Sequence, residues 1–168
     1  KADDDSNSQQ KEENFAVNVD EVDCEYREID EESCTTLAKI ILSGIGPCGK
    51  TSILRQLTEH KFEEILPAEL GHDLKSVCLA TSAGGIKLQI WDTPGAEKLI
   101  NIATLSYDRV HSVIIVLDAT CESYTRKTWK TILLESIDRI KEKVSNPLFY
   151  IALNKCDSGI KIPLNELE

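Results

Sequence analysis

SGIGPCGKTS, residues 43–52, sets glycines at 44, 46 and 49 ahead of a Lys50-Thr51 pair. Glycine inside ordered structure costs conformational entropy, so its repetition marks a backbone that turns sharply or is closely approached. The spacing Gly44-x-x-x-x-Gly49-Lys50-Thr51 is that of a phosphate-binding loop. Its flanks agree with that reading. LAKIILSG (37–44) is a short apolar run closed by glycine, which predicts a buried parallel strand. KTSILRQLTEH (50–60) carries Ile53, Leu54 and Leu57 on one side, which predicts a helix packed on that strand. Main-chain N–H groups of such a loop and the positive end of the helix cradle phosphate oxygens. The candidate contacts are Gly44, Gly46, Pro47, Cys48, Gly49, Lys50, Thr51 and Ser52, although Pro47 removes one N–H. Lys50 brings a full charge to the β- and γ-phosphates, and the Thr51 hydroxyl is a candidate Mg2+ ligand.

Outward from the loop, strand and helix patterns alternate. FEEILPAELGHD (62–73) reads as an exposed loop broken by Pro67 and Gly71. LKSVCLAT (74–81) and IKLQIWD (86–92) read as a hairpin around Ser82-Ala83-Gly84-Gly85. TPGAEK (93–98) is a loop, and the segment after it, to about Arg109, is expected to be helical. SVIIVLDAT (112–120) is an almost wholly apolar strand ending in an acid. YTRKTWKTILLESIDRIKEKV (124–144) has the pattern of an amphipathic helix, and PLFYIALNKCD (147–157) that of another buried strand. The alternation predicts an α/β fold of the P-loop NTPase kind, a mostly parallel sheet with helices on both faces and one antiparallel edge strand. Such sheets bind ligands beyond the carboxyl ends of their strands, where the polar motifs of this chain fall.

Two further motifs carry chemistry. WDTPG (91–95) offers Asp92, which can hold Mg2+, and Gly95, whose N–H can reach a γ-phosphate; Lys50 and Gly95 are therefore the candidate catalytic groups. NKCD (154–157) offers Asn154, Lys155 and Asp157. A carboxylate at Asp157 can accept both N1–H and the exocyclic amino group of guanine, an edge that adenine lacks. A phosphotransferase of the kinase type would need a basic lid for its second substrate, and no arginine cluster is present.

The net charge of −10 is unevenly placed. Residues 1–35 hold 13 of the 29 acids and 3 of the 19 bases, which leaves 16 of each in the remainder. We therefore expect an acidic, disordered extension over 1–35 and a single domain over 36–168. The extension is a partner-binding arm or an ordinary solvated one. With no basic patch, nucleic acid is not an expected partner. Six scattered cysteines without metal spacing suggest reduced thiols in a cytoplasmic protein, and no apolar run is long enough for direct membrane insertion.

From Leu37 to Asp157 the chain resembles the Ras superfamily of small GTPases, and most closely its Rab branch, through GIGPCGKTS, WDTPGAE, SVIIVLDAT and NKCD. The resemblance implies a switch that binds GTP or GDP with Mg2+, with nucleotide-sensitive loops at 63–74 and 92–107 through which effectors and regulators bind. Phe62, eleven residues after Thr51, falls where the family has an aromatic that packs on guanine; otherwise it is a core residue capping the first helix. The family would also continue with one more strand and a final helix past Asp157, so with the chain ending at Glu168 those two elements are expected to be missing, as is a lipidated tail.

Two departures bear on turnover. Eighteen residues after Thr51, where the family places a metal-ligating threonine, stands Glu69. A carboxylate is a good hard ligand for Mg2+. Unligated, it would repel a phosphate charge by about 4 kcal/mol at ~4 Å and an effective dielectric near 20. After Gly95 comes Ala96, where the resemblance leads one to expect a glutamine that orients the attacking water. The sequence thus predicts nucleotide binding with slow hydrolysis, in signalling or vesicle trafficking. The alternative is a pseudo-GTPase acting through its surface without turnover.

Overall fold

The computed structural model describes residues 27–63, 73–93, 109–121, 123–124 and 127–163. Their centre is β2 (Cys34–Ser43), a strand whose last apolar residues, Ile41 and Leu42, are almost fully buried. β2 is parallel to β4 (Gly84–Asp92) on one side and to β5 (Ser112–Asp118) on the other. β5 is in turn parallel to β8 (Leu148–Asn154). β3 (Asp73–Thr81) runs antiparallel to β4, joined to it through Ser82 and Ala83. The order across the sheet is β1-β3-β4-β2-β5-β8, with β1 formed by Arg27–Glu28.

Among the described residues, each face carries one helix. α1 (Lys50–Glu59) lays Leu54 and Leu57 on Leu42, Val77 and Ile90. α2 (Trp129–Lys141) lays Trp129, Leu133, Ile137 and Ile140 on Ile41, Val113, Ile115 and Leu117 of the opposite face. Alternation along β4 explains the division: Ile90 faces α1, whereas Trp91 packs toward the α2 cluster. The expected α/β architecture is present. No helix among the described residues is long and apolar enough to cross a membrane.

Three local expectations change. Antiparallel β3 is not the outermost strand, because residues 27–33, counted in the sequence with the acidic extension, fold back across it. Arg27 and Glu28 pair with Ala80 and Leu79, and the Ile29 N–H donates to the Cys78 carbonyl at 3.0 Å. Lys87 and His60 hold this strap by ion-pairing with Glu31 and bonding Glu28, respectively. Second, the hairpin turn is shorter than expected, and Gly84 and Gly85 belong to β4. A Cβ at Gly85 would collide with the Ser33 carbonyl and come within 2.8 Å of Ile29 Cδ1, so its bareness admits the strap. Third, the helix expected from Tyr124 starts at Trp129. A two-strand ribbon, β6 (Ser123–Tyr124) and β7 (Lys127–Thr128), precedes it, and Thr128 caps α2 by accepting from the Thr131 N–H at 3.3 Å. Among the described residues no strand follows β8, and β8 is a sheet edge.

Candidate functional site

The carboxyl ends of β2, β4, β5 and β8 lie side by side. Leu42 is in register with Asp92, Ser43 with Ile115, and Asp118 with Asn154. The loops leaving these ends make one site.

The glycine-rich loop leaves β2 at Gly44 and enters α1 through Gly49, whose φ of 93° is left-handed backbone. Only glycine adopts that without strain, and a Cβ there would also collide with the Asn154 side-chain amide. A Cβ on Gly44 would run into the Val116 carbonyl and approach Cys48 Sγ to 2.8 Å. Gly46 is left-handed too, with φ 65° and open space around it. Cys48 is buried inward, so it serves the loop through packing and its carbonyl and not through an exposed thiol. Burial pushes that thiol up, against the pull of neighbouring Lys50. Pro47 is exposed, and Ser52 stands half-buried in the first turn of α1.

Lys50 is 4% exposed. Its ammonium donates to the Gly44 carbonyl at 2.9 Å and the Gly46 carbonyl at 3.3 Å, and lies 3.5 Å from Cys48 Sγ. Among the described residues no carboxylate pairs with it. A buried cation held only by neutral groups is costly unless an anion joins it. The loop is thus built to receive negative charge.

Thr51 donates its hydroxyl to Asp92 Oδ2 at 2.5 Å, and Thr93 donates to the Leu42 carbonyl at 2.8 Å. Hydroxyl and carboxylate side by side are hard oxygen donors of the kind Mg2+ prefers. This pair fits the ion the sequence led us to expect. Glu69, the third expected ligand, Gly95 and Ala96 lie outside the described residues, as do most of the expected loops 63–74 and 92–107.

The NKCD segment closes the other side. Asn154 Nδ2 donates to the Cys48 carbonyl at 2.9 Å. Lys155 Nζ donates to the Pro47 carbonyl at 2.8 Å and to Asp118 Oδ2 at 2.7 Å. A short 3-10 turn, Cys156–Ser158, then presents Asp157 exposed, with the Ser158 hydroxyl donating to its carboxylate at 3.3 Å. Phe62 is 72% exposed, three residues beyond α1, which removes the core reading and leaves its ring accessible. All five described cysteines, Cys34, Cys48, Cys78, Cys121 and Cys156, are free.

Sequence reasoning did not single out Asp118 or Thr120. Asp118 accepts from the Thr120 N–H at 3.0 Å and the Thr120 hydroxyl at 2.6 Å, besides Lys155. Burial, the largest influence on this carboxyl, raises it. The bonds from Lys155 and Thr120 outweigh burial and hold it below the usual carboxylate range. The available signal was an acid closing an apolar strand, in line with the polar end of β8.

Comparison with known proteins gives a consistent answer. The Ras family model matches residues 39–165. The chain is 34% identical over 123 residues to a Ras-related protein, RIC1, of Oryza sativa subsp. japonica, an alignment covering 72% of this chain and 58% of that protein. It is 33% identical over 121 residues to a Ras and EF-hand domain-containing protein of Xenopus tropicalis, covering 71% of this chain and 16% of that one. The match thus spans little more than half the length of the first relative and a small part of the second.

Proposed function

Because this chain belongs to the Ras family, we propose that its small-GTPase domain is a switch that binds GTP and GDP, with Mg2+, and hydrolyses GTP slowly. The observation that carries this reading is Lys50, a buried ammonium with no carboxylate partner among the described residues, inside a loop of left-handed glycines. In this reading the loop amides and Lys50 hold the phosphates, and Phe62 covers one face of the base. Asp157 selects guanine through its two edge donors, while Asn154 and Lys155 fix the loop that carries Asp157. Thr51 and Asp92 would hold the ion, with Glu69 a further candidate ligand. Mg2+ bound there would neutralise charge on the phosphate oxygens. Gly95 is the candidate N–H donor to the terminal phosphate.

Turnover is the weak part of the cycle. Ala96 has no group to orient a water, and Pro94 stiffens the backbone beside it. A partner protein that supplies polar groups would speed the reaction. We assign the chain to the Rab-like branch, acting in the cytoplasm in small-GTPase signalling or vesicle trafficking, with effectors at 63–74 and 92–107. The Glu69 and Ala96 substitutions also favour a second reading, a pseudo-GTPase that acts through its surface without turnover.

One experiment tests the first reading and separates it from the second. The purified protein is denatured and the released nucleotide identified by chromatography. Recovery of guanine nucleotide, followed by slow conversion of loaded GTP to GDP, is the expected result. Adenine nucleotide would overturn the guanine assignment. An empty protein that takes up neither GDP nor GTP would overturn the first reading and favour the surface-acting one.

A further inference from the structure

We propose that Asp118 is a positioning residue for base selection, acting through Lys155 to aim Asp157. The inference rests on the guanine-nucleotide reading above and assigns it a residue outside the four NKCD positions. The two carboxylate oxygens have separate partners. Oδ1 accepts both donors of Thr120, at 3.0 and 2.6 Å, which fixes the carboxylate on its own loop. Oδ2 accepts from Lys155 Nζ at 2.7 Å. The Asp118 side chain is 14% exposed and that of Lys155 37%, so the carboxylate end of the pair is the one shielded from water.

Lys155 has reason to need an anchor. Its backbone is left-handed, with φ 62°, an uncommon conformation for a residue with a side chain. It is also the pivot where β8 ends and the turn bearing Asp157 begins. The strands bring its anchor within reach, because Asp118 lies directly across from Asn154 and the Ala119 N–H donates to the Asn154 carbonyl at 2.9 Å. The same ammonium bonds the Pro47 carbonyl of the phosphate loop. Asp118 therefore sets the direction of a lysine that links the base-reading turn to the phosphate loop. With Asp118 truncated, Lys155 keeps one carbonyl and loses its charged partner. The turn loosens, and Asp157 meets the guanine edge less squarely.

The test is calorimetric titration of the wild type and of Asp118→Ala, Asp118→Asn, Lys155→Ala and the Asp118→Ala/Lys155→Ala pair with GDP and with IDP. IDP keeps the phosphates and N1–H but lacks the exocyclic amino group. Asp118→Ala is expected to weaken GDP about tenfold and to narrow the preference for GDP over IDP. The double variant should bind GDP no more weakly than Lys155→Ala alone. Asp118→Asn retains an acceptor without the charge, and should shift both readouts in the same direction by less. It decides the matter if the alanine variant does not fold. Wild-type preference in both Asp118 variants, or equal weakening of GDP and IDP, would overturn the role. A wild type that binds neither nucleotide would instead overturn the guanine reading itself.

Discussion

The side-chain amide of Asn154 donates to the carbonyl of Cys48 at 2.9 Å, joining the end of β8 to the loop after β2 across 106 residues of sequence. The contact spans two loops that bind opposite ends of one ligand in the proposed function. Removing it by Asn154→Ala leaves a carbonyl of a buried residue without its donor. That costs about 1–3 kcal/mol. Chemical denaturation without nucleotide should show the loss. An unchanged midpoint would mean that water replaces the amide at no cost.

Lys50→Ala takes away the one cation buried in the loop. Charge-assisted hydrogen bonds contribute about 1.5–3 kcal/mol each, so GDP affinity should fall by roughly ten- to more than a hundredfold. Calorimetric titration reads the change. Retained affinity would remove the phosphate-loop assignment.

Gly49→Ala asks a left-handed position to accept a side chain that also strikes Asn154. A strained backbone position costs on the order of 1–3 kcal/mol. Both thermal stability and GDP affinity are expected to drop, since the residue is the entry to α1. Loss of stability with full affinity would show that the loop adapts around the methyl.

Ala96→Gln restores a group able to orient water. We expect single-turnover hydrolysis of bound GTP to rise by roughly ten- to a hundredfold, about 1.4–2.7 kcal/mol of barrier. Quench-flow measurement of phosphate release checks this. No acceleration would place the limiting defect elsewhere, with Glu69 next to be replaced by threonine.

Acid should expose the Asp118 contribution. Its carboxyl titrates lower in the folded chain than in the unfolded one, so the charged form favours folding. That contribution is complete above the unfolded value, about 3.9, and is lost as pH falls through the folded value below it. The stability gap between wild type and Asp118→Asn should stay constant above about pH 5 and close in more acidic solution. Denaturation across that range measures it, and a gap that widens on acidification would contradict the assignment.

Much of this was legible in the sequence, for physical reasons that differ by residue. Ile41, Leu42, Val113, Ile115 and Leu117 announce buried strands because a strand covered on both faces needs apolar residues throughout. The glycine loop was legible because left-handed backbone and close approach restrict residue choice. Asp118 was not, since its meaning comes from pairing with a strand 30 positions later. The β6–β7 ribbon was missed because Thr125, Arg126 and Lys127 suit an exposed helix turn as well as a short hairpin. The strap over Gly85 was hidden by acidic residues that, by composition alone, read as solvated chain. Glu69 and Ala96 were plain as departures, yet their meaning depends on geometry outside the described residues.

The strap has an electrostatic corollary. Arg27 and Glu28 lie beside Ala80 and Leu79, at the hairpin end of the sheet, whereas the phosphate loop follows the far end of β2. A ten-residue strand measures roughly 33 Å, and the screening distance at physiological ionic strength is about 8 Å. The charged residues of the strap thus meet the sheet at the end opposite the phosphate loop, beyond the screening distance, and add little to the potential that a bound polyanion feels there.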